Sequence, residues 1–130
     1  MQINTIFSLL TNIRNSQKAG KNNIIQPYTK TLFSIVTLLY NEGFVRGFFL
    51  KRINKKKMLC ILIKYKNDLP TIKEISAASF PKSNFNIKKD ELVKNYNGKG
   101  LIIMSTTKGI ITNETAFKYQ KGGKILFKIK

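Results

Sequence analysis

The sequence predicts an α+β protein built from two small lobes. Near the amino end, apolar residues recur every three or four positions, as in helices, and further along, short apolar runs alternate with turn residues, as in strands. The pattern breaks at residues 80–84, where a proline stands among small polar residues. We therefore predict an N-terminal α-β-α-β-β lobe over residues 1–79 and a C-terminal, mainly β lobe with a short helix over residues 80–130.

The predicted first lobe begins with two helices separated by a strand. Helical spacing of apolar residues predicts a first helix over 5–18, and the short run 24–26, ended by Pro27, predicts a strand. A second apolar stripe predicts a helix over 29–41. Gly43 follows at the position where a glycine commonly ends a helix.

Two strands then follow, over 44–53 and 58–65, on either side of a basic hairpin tip at 54–57. A further strand near 72–77 is predicted to close this lobe. Because strands of this kind bury one face, we expect the phenylalanines in the core rather than as platforms for base stacking. They are Phe44, Phe48, Phe49 and, in the second lobe, Phe127.

The predicted second lobe is mostly extended. Its elements are, in order, an extended piece at 85–88, a helical turn at 90–95, strands at 101–105 and 110–111, a short helix at 113–119 and a last strand at 124–129. Thr112 is the expected N-cap of the short helix, because its hydroxyl can accept a backbone N–H there. In the last strand, alternation predicts that Ile125, Phe127 and Ile129 share one face.

The charge balance indicates an anionic partner. The chain has 24 Lys and Arg residues against 6 Asp and Glu, so its formal net charge is +18 and its pI is near 10.2. Phosphates and their released counterions make nucleic acid the expected partner. A membrane surface is the competing anion, but neither helix predicted in the first lobe carries Lys and Arg along one polar face. No apolar run approaches the roughly 18 residues that cross a bilayer.

Residues that catalysis or metal binding requires are scarce. The chain has no His, and its single cysteine, Cys60, lies in an apolar run and is predicted to fill the core. Asp90 and Glu91 are neighbours, which diverge on a helix, so we expect a solvated helix start rather than an acid/base pair. The sequence therefore predicts no enzymatic activity, no metal, no cofactor and no small-molecule substrate.

A loop over residues 105–109, which we call the hydroxyl loop, lies between two apolar runs. Its residues are Ser105, Thr106, Thr107, Lys108 and Gly109. Hydroxyls can hydrogen-bond ribose 2′-OH groups and phosphate oxygens, Lys108 can neutralise a phosphate, and Gly109 allows a close backbone approach. Hydroxyl residues before a glycine are also common in ordinary turns, so the loop alone does not decide between an RNA contact and a structural turn.

The order of motifs around the hydroxyl loop resembles the carboxyl-terminal signature of the small ribosomal subunit protein eight family. In that family Gly-x-Gly, an apolar strand, Ser-Thr-Ser-Lys-Gly, a short helix and Gly-Gly follow one another. Further motifs match in order and spacing: residues 10–15 resemble Leu-Thr-Arg-Ile-Arg-Asn, residues 27–30 resemble Pro-Ser-Ser-Lys, and 42–44 and 89–92 match as Glu-Gly-Phe and Lys-Asp-Glu-Leu. The resemblance thus covers nearly the whole chain.

The resemblance implies a primary binder of small-subunit ribosomal RNA. Such a protein docks on an irregular helix of the central domain and supports its folding during assembly, beside neighbouring small-subunit ribosomal proteins. Carried over by position, the resemblance implies that the hydroxyl loop contacts the RNA. The other residues that it implies as RNA contacts are Thr11, Arg14, Asn15, Lys30 and Lys89.

Of the positions that depart from the family pattern, three bear on the expected RNA site. Thr107 stands where Ser is usual, which keeps the hydroxyl and adds a methyl group. Asn86 stands where the family often has Tyr, so base stacking by that ring cannot be carried over, although Phe85 or Tyr96 could take its place. Lys124 replaces a Glu after the two glycines, so a contact made by a Glu cannot be carried over from the family.

Two functions stay open at this point. One is a ribosomal protein with a defined RNA site, and the other is a free-standing RNA-binding or RNA-chaperone module with the same fold. The basic tip at 54–57 is expected to add only nonspecific attraction in either case.

The bias in composition indicates where the protein is made. Arginine occurs only at Arg14, Arg46 and Arg52, while Lys, Asn and Ile abound, as expected of an A+T-rich gene. The first predicted helix begins close to Met1, with no Arg-rich, Ser-rich leader before it. We therefore expect a ribosome inside an organelle, a mitochondrion first, with a plastid or an A+T-rich bacterium as alternatives.

Overall fold

The computed structural model describes residues 3–77, 86–87, 100–120 and 122–130. This part of the chain consists of α-helices and antiparallel β-sheets, which confirms the predicted α+β class. The chain divides into two compact units, one ending at Ile72 and the other beginning at Lys73. The boundary predicted after residue 79 lies outside the described residues and stays a prediction.

The first unit has the predicted α-β-α-β-β order. Its elements are α1 (Ile3–Lys18), β1 (Asn23–Pro27), α2 (Lys30–Asn41), β2 (Val45–Ile53) and β3 (Lys56–Ile63), followed by a small hairpin of β4 (Tyr65–Lys66) and β5 (Leu69–Pro70). The first three strands form an antiparallel sheet in the order β1-β3-β2.

Helix α2 begins one residue later than the sequence predicts and ends where predicted. Thr29 is the N-cap, and its hydroxyl accepts a hydrogen bond of 3.1 Å from the N–H of Leu32. At the other end Gly43 has φ +83° and donates to the carbonyl of Tyr40 at 3.0 Å. A positive φ after the last turn lets backbone N–H groups bond the last carbonyls of the helix. Glycine adopts this φ without steric cost because it has no Cβ.

The β2–β3 hairpin is tighter than predicted. Asn54 and Lys55 form the whole turn, with φ of 51° and 65° at the two positions. Positive φ at both central residues is the signature of the two-residue turn whose twist matches that of the strands. Strand pairing therefore continues to Ile53 and Lys56, and the predicted tip at 54–57 is wrong in placing Lys56 and Lys57 in the loop.

The core of the first unit lies on one face of its sheet. Leu59 and Ile61 are fully buried, and Phe48 of the neighbouring strand meets Phe33 of α2 edge to face at 5.6 Å between ring centroids. Phe49 points the opposite way, because successive strand residues alternate in direction, and it is 47% exposed. The expectation that Phe49 belongs to the core is therefore wrong. Cys60 is buried, as predicted.

The second unit is an antiparallel sheet in which the last strand is central and pairs with three others. Its elements are β6 (Ile75–Ala77), β7 (Asn86–Ile87), β8 (Leu101–Thr106), β9 (Gly109–Thr112), α3 (Asn113–Lys118) and β10 (Gly123–Ile129). Strand β10 pairs with β8 and also with β6 and β7, while β9 pairs with β8. The sequence placed the strand near 72–77 in the first lobe, and this is wrong, because Ile75 pairs with Ile129. The helical turn predicted at 90–95 lies outside the described residues.

A β-bulge in β10 breaks the predicted alternation. Ile125 lies opposite Met104, whereas Phe127 lies opposite Ile103, the preceding residue of β8, and the register shifts between them. Because neighbouring residues of β8 point to opposite faces, the extra residue in β10 moves Phe127 to the other face from Ile125. Ile125 packs in a cluster with Met104 and Ala116 of α3. The prediction that Ile125, Phe127 and Ile129 share one face is therefore wrong for Ile125.

Candidate nucleic-acid interface

The hydroxyl loop is the tip of the β8–β9 hairpin. Thr106 and Gly109 form the last strand pair, so Thr107 and Lys108 alone make the turn. The Thr106 hydroxyl accepts a hydrogen bond of 3.1 Å from the N–H of Lys108 and donates one of 3.1 Å to the carbonyl of Gly109. A threonine hydroxyl that bonds backbone two residues on stabilises such a turn. Thr106 therefore holds the loop in one conformation.

The remaining loop residues face outward. Thr107, Lys108 and Gly109 are exposed, and Ser105 is half-buried. Within the described part of the chain, no carboxylate pairs with Lys108. The loop thus presents an exposed hydroxyl and an ammonium group from a fixed backbone, which is an arrangement suited to a phosphate or a ribose.

The conformation of the loop depends on Gly109. Its φ of +104° lies in a region that residues with a Cβ rarely adopt. An ideal Cβ built there meets no atom within 4 Å, so the need for glycine comes from the backbone angle and not from crowding.

Gly123 allows β10 to approach the base of the loop. A Cβ at this position would collide with the carbonyl oxygen of Ser105 and lie 2.7 Å from Cγ2 of Thr106. The second of the two glycines in the family motif is therefore needed here because two backbones come close together.

The sequence did not predict two other residues at this site. Lys124 pairs with Ser105 in the β10–β8 register, so a cation stands beside the loop where the family has a Glu. Tyr119, the C-cap of α3, lies under Lys108, whose Nζ is 4.7 Å from the ring centroid. Lys124 could have been predicted from the sequence, because it directly follows the two glycines of the motif. No sequence pattern links Tyr119 to Lys108.

Three predicted contacts of the first unit lie on one exposed face of α1. Thr11, Arg14 and Asn15 are all exposed, and their spacing of three and four residues places them side by side along the helix. We call these three residues the α1 face. Lys30 is also exposed and is the first residue of α2. A cation at the positive end of a helix dipole is locally unfavourable, and a nearby phosphate would offset this.

The structure thus forms two groups from the predicted site residues. The hydroxyl loop belongs to the second unit, and the α1 face and Lys30 belong to the first. Lys89 lies outside the described residues.

Other kinds of site find no support in the described residues. These residues hold no cluster of three or more His, Cys, Asp or Glu side chains that could bind a metal ion. Across the same ranges, no helix has the length and apolar character needed to span a membrane.

Comparison with known proteins identifies the family of the chain. The chain matches the family model described as Ribosomal protein S8 over residues 4–129. It is 35% identical over 121 residues to the small ribosomal subunit protein uS8 of Thioalkalivibrio sulfidiphilus, covering 93% of this chain and 92% of that protein. The protein of the same name from Coxiella burnetii is 34% identical over 126 residues, with 97% of each chain covered, and that from Baumannia cicadellinicola is 38% identical over 122 residues, with 93% and 92% covered. These relatives are bacterial.

Proposed function

The chain belongs to the ribosomal protein S8 family, whose model matches its residues 4–129, and we propose that it binds small-subunit ribosomal RNA directly through the hydroxyl loop. Its place in the cell is the small ribosomal subunit, where it is a structural constituent that serves translation. The family consists of ribosomal proteins and not of enzymes, which confirms the prediction that this chain is not an enzyme.

One observation carries the proposal of an RNA contact. The Thr106 hydroxyl makes two hydrogen bonds within the hairpin and so fixes the turn that exposes Thr107 and Lys108. A fixed turn loses little conformational entropy on binding. Little of the binding free energy from its hydroxyl and ammonium contacts is therefore spent on ordering the loop. Because such contacts go to ribose and phosphate, they recognise the shape of a folded RNA and place the protein in register on it.

The α1 face and Lys30 supply the proposed contact of the first unit. Arg14 can bind a phosphate through its planar guanidinium, and Thr11 and Asn15 add neutral hydrogen-bonding groups beside it. Contacts from both units on one RNA would stabilise a particular fold of that RNA. This is the proposed role in assembly, in which the protein binds the central domain of the small-subunit RNA early and helps it fold.

The test is binding to a transcript of the central domain of small-subunit ribosomal RNA, together with co-sedimentation with small-subunit particles. We expect binding at low and moderate salt that weakens steeply as salt rises, with a log-log slope of magnitude roughly 0.7 to 0.9 per phosphate neutralised. A protein that stays out of the particles at both salt concentrations, but still binds unrelated RNAs, would instead be a free-standing RNA-binding or RNA-chaperone module.

The source of the ribosome is a separate proposal. An organelle, and a mitochondrion in particular, is supported by the excess of Lys, Asn and Ile over Arg, whereas the bacterial relatives give no support to a mitochondrial source. Mapping the gene to organellar or bacterial DNA by sequencing distinguishes the two. A location on a bacterial chromosome would remove the organellar proposal and leave the RNA site unaffected.

A further inference from the structure

Tyr119 forms a contact with the hydroxyl loop that neither charge nor family resemblance predicts. The Lys108 ammonium lies 4.7 Å from the centroid of its ring, within the range of a cation–π interaction. Tyr119 is 52% exposed, so it lies at the surface beside the turn and not in the core.

We propose that Tyr119 is a positioning residue of the RNA site, whose ring holds the Lys108 ammonium in place to meet a phosphate. This inference rests on the proposed function of the hydroxyl loop. A lysine side chain has many rotamers and loses them when it binds, so a ring that restricts Lys108 in the free protein reduces that loss. The turn fixes the backbone of Lys108, and Tyr119 restricts its side chain.

A ring suits this role better than a carboxylate does. An Asp or Glu beside Lys108 would compete with the phosphate for the ammonium, because opposite charges attract each other strongly. The quadrupole of a neutral ring attracts the cation weakly and leaves its full charge available. Lys108 can therefore be held and still neutralise a phosphate.

The position of Tyr119 is itself well anchored. Its N–H donates to the carbonyl of Thr115 at 3.0 Å at the end of α3. The start of α3 is tied to β8, since the buried side chain of Asn113 accepts a hydrogen bond of 3.0 Å from the N–H of Ile102. Ala116 is fully buried in the cluster beneath the helix. The ring thus stands on an element that is attached to the same strand as the hydroxyl loop.

Direct stacking of an RNA base on the ring is the other way in which Tyr119 could act. Phe117 serves to distinguish the two, because it is an exposed aromatic of the same helix, at 54% exposure, for which no contact with Lys108 is found among the described residues. If Tyr119 stacks on a base, it contributes to RNA affinity even when Lys108 is absent. If Tyr119 positions Lys108, its contribution disappears when Lys108 is removed.

The experiment measures binding of the full chain to the central-domain transcript at matched salt for Tyr119→Phe, Tyr119→Leu and Phe117→Leu. Each variant is made with and without Lys108→Ala, and circular dichroism checks that each is folded. We expect Tyr119→Phe to bind like the parent, because the ring remains, and Tyr119→Leu to bind about two- to fivefold more weakly. In the Lys108→Ala background, Tyr119→Leu should have no further effect.

Two readouts separate positioning from a general structural role. Tyr119→Leu should leave the salt slope unchanged because no charge is removed, whereas Lys108→Ala should lower its magnitude by roughly 0.7 to 0.9. In the free protein, the Lys108 ε-methylene protons should show an upfield ring-current shift by NMR that Tyr119→Phe keeps and Tyr119→Leu loses.

The outcomes distinguish this inference from the proposed function. If the parent chain binds the transcript and Tyr119→Leu binds equally well, or loses as much affinity without Lys108 as with it, Tyr119 does not position Lys108 and the RNA site itself stands. Should the parent chain fail to bind the transcript at all, the proposed function is overturned and this inference with it.

Discussion

Lys124 lies directly opposite Ser105 in the antiparallel register of β10 and β8. Side chains at such paired positions are neighbours on one face of the sheet, so this cation stands next to the base of the hydroxyl loop. The resemblance described above places a carboxylate here, and the lysine of this chain puts a positive charge where the proposed RNA contact begins.

We therefore expect Lys124→Glu to weaken binding to the central-domain transcript by about tenfold, which corresponds to roughly 1.4 kcal/mol. The variant removes one cation that can neutralise a phosphate and adds a charge that repels it. Filter binding over a range of salt concentrations measures both effects. Lys128→Glu is the matched control, because Lys128 is exposed on the same strand but pairs with Ile102, away from the loop. An equal loss at both sites would show that only net charge matters.

The cations of the chain should contribute unequally. Lys108→Ala is expected to reduce affinity more than Lys55→Ala, Lys56→Ala or Lys57→Ala, because Lys108 extends from a fixed turn at the proposed contact. Lys55 lies in the β2–β3 turn, and Lys56 and Lys57 begin β3, so all three belong to the first unit and not to the hydroxyl loop. Dissociation constants of the four variants at matched salt test this. Four equal losses would contradict a defined site and favour bulk attraction.

Thr106 should act through its hydroxyl and not through its size. Thr106→Val keeps the shape and removes both hydrogen bonds of the turn, which we expect to cost about 1 kcal/mol of stability and to weaken RNA binding as the loop loosens. Thr106→Ser keeps the hydroxyl and should restore both properties. Denaturant unfolding and RNA binding are measured on the same preparations. If valine binds RNA as well as threonine does, the fixed turn is not what the RNA recognises.

Gly109 should be needed for its backbone angle. Gly109→Ala is expected to destabilise the folded protein by about 1–2 kcal/mol, since its φ of +104° is strained for any residue with a Cβ. Gly20→Ala is the control, because Gly20 also has a positive φ, of +69°, with open space around it, but lies after α1 in the first unit. Both variants should unfold more easily, and only Gly109→Ala should also weaken RNA binding. A loss of binding in both would point to general destabilisation.

Local features of the fold could be predicted because neighbours along the chain determine them. Thr112 caps its helix through a backbone N–H three residues on, and Gly43 ends α2 through its own backbone freedom. The hydroxyl loop belongs to the same class, because both hydrogen bonds of Thr106 stay within four residues of chain. Composition likewise indicates the anionic partner, because the net charge of the chain does not depend on how it folds.

Contacts between distant segments could not be predicted in this way. An apolar run near residue 75 reads as a strand, but nothing in it says that its partner is Ile129 and not a strand of the first unit. The bulge after Ile125 depends on how β10 fits against β8, and the exposure of Phe49 depends on which face of its sheet the helices cover.

The sequence by itself determined the class of the fold, the α-β-α-β-β order of the first lobe, the N-cap of α3, the glycine that ends α2, the basic character and the turn that carries the hydroxyls. Only the tertiary structure decided that Lys124 stands beside Ser105 and that Tyr119 lies under Lys108. The physical reason is that periodicity and capping act over a few residues, whereas strand register and ring contacts depend on which segments pack together.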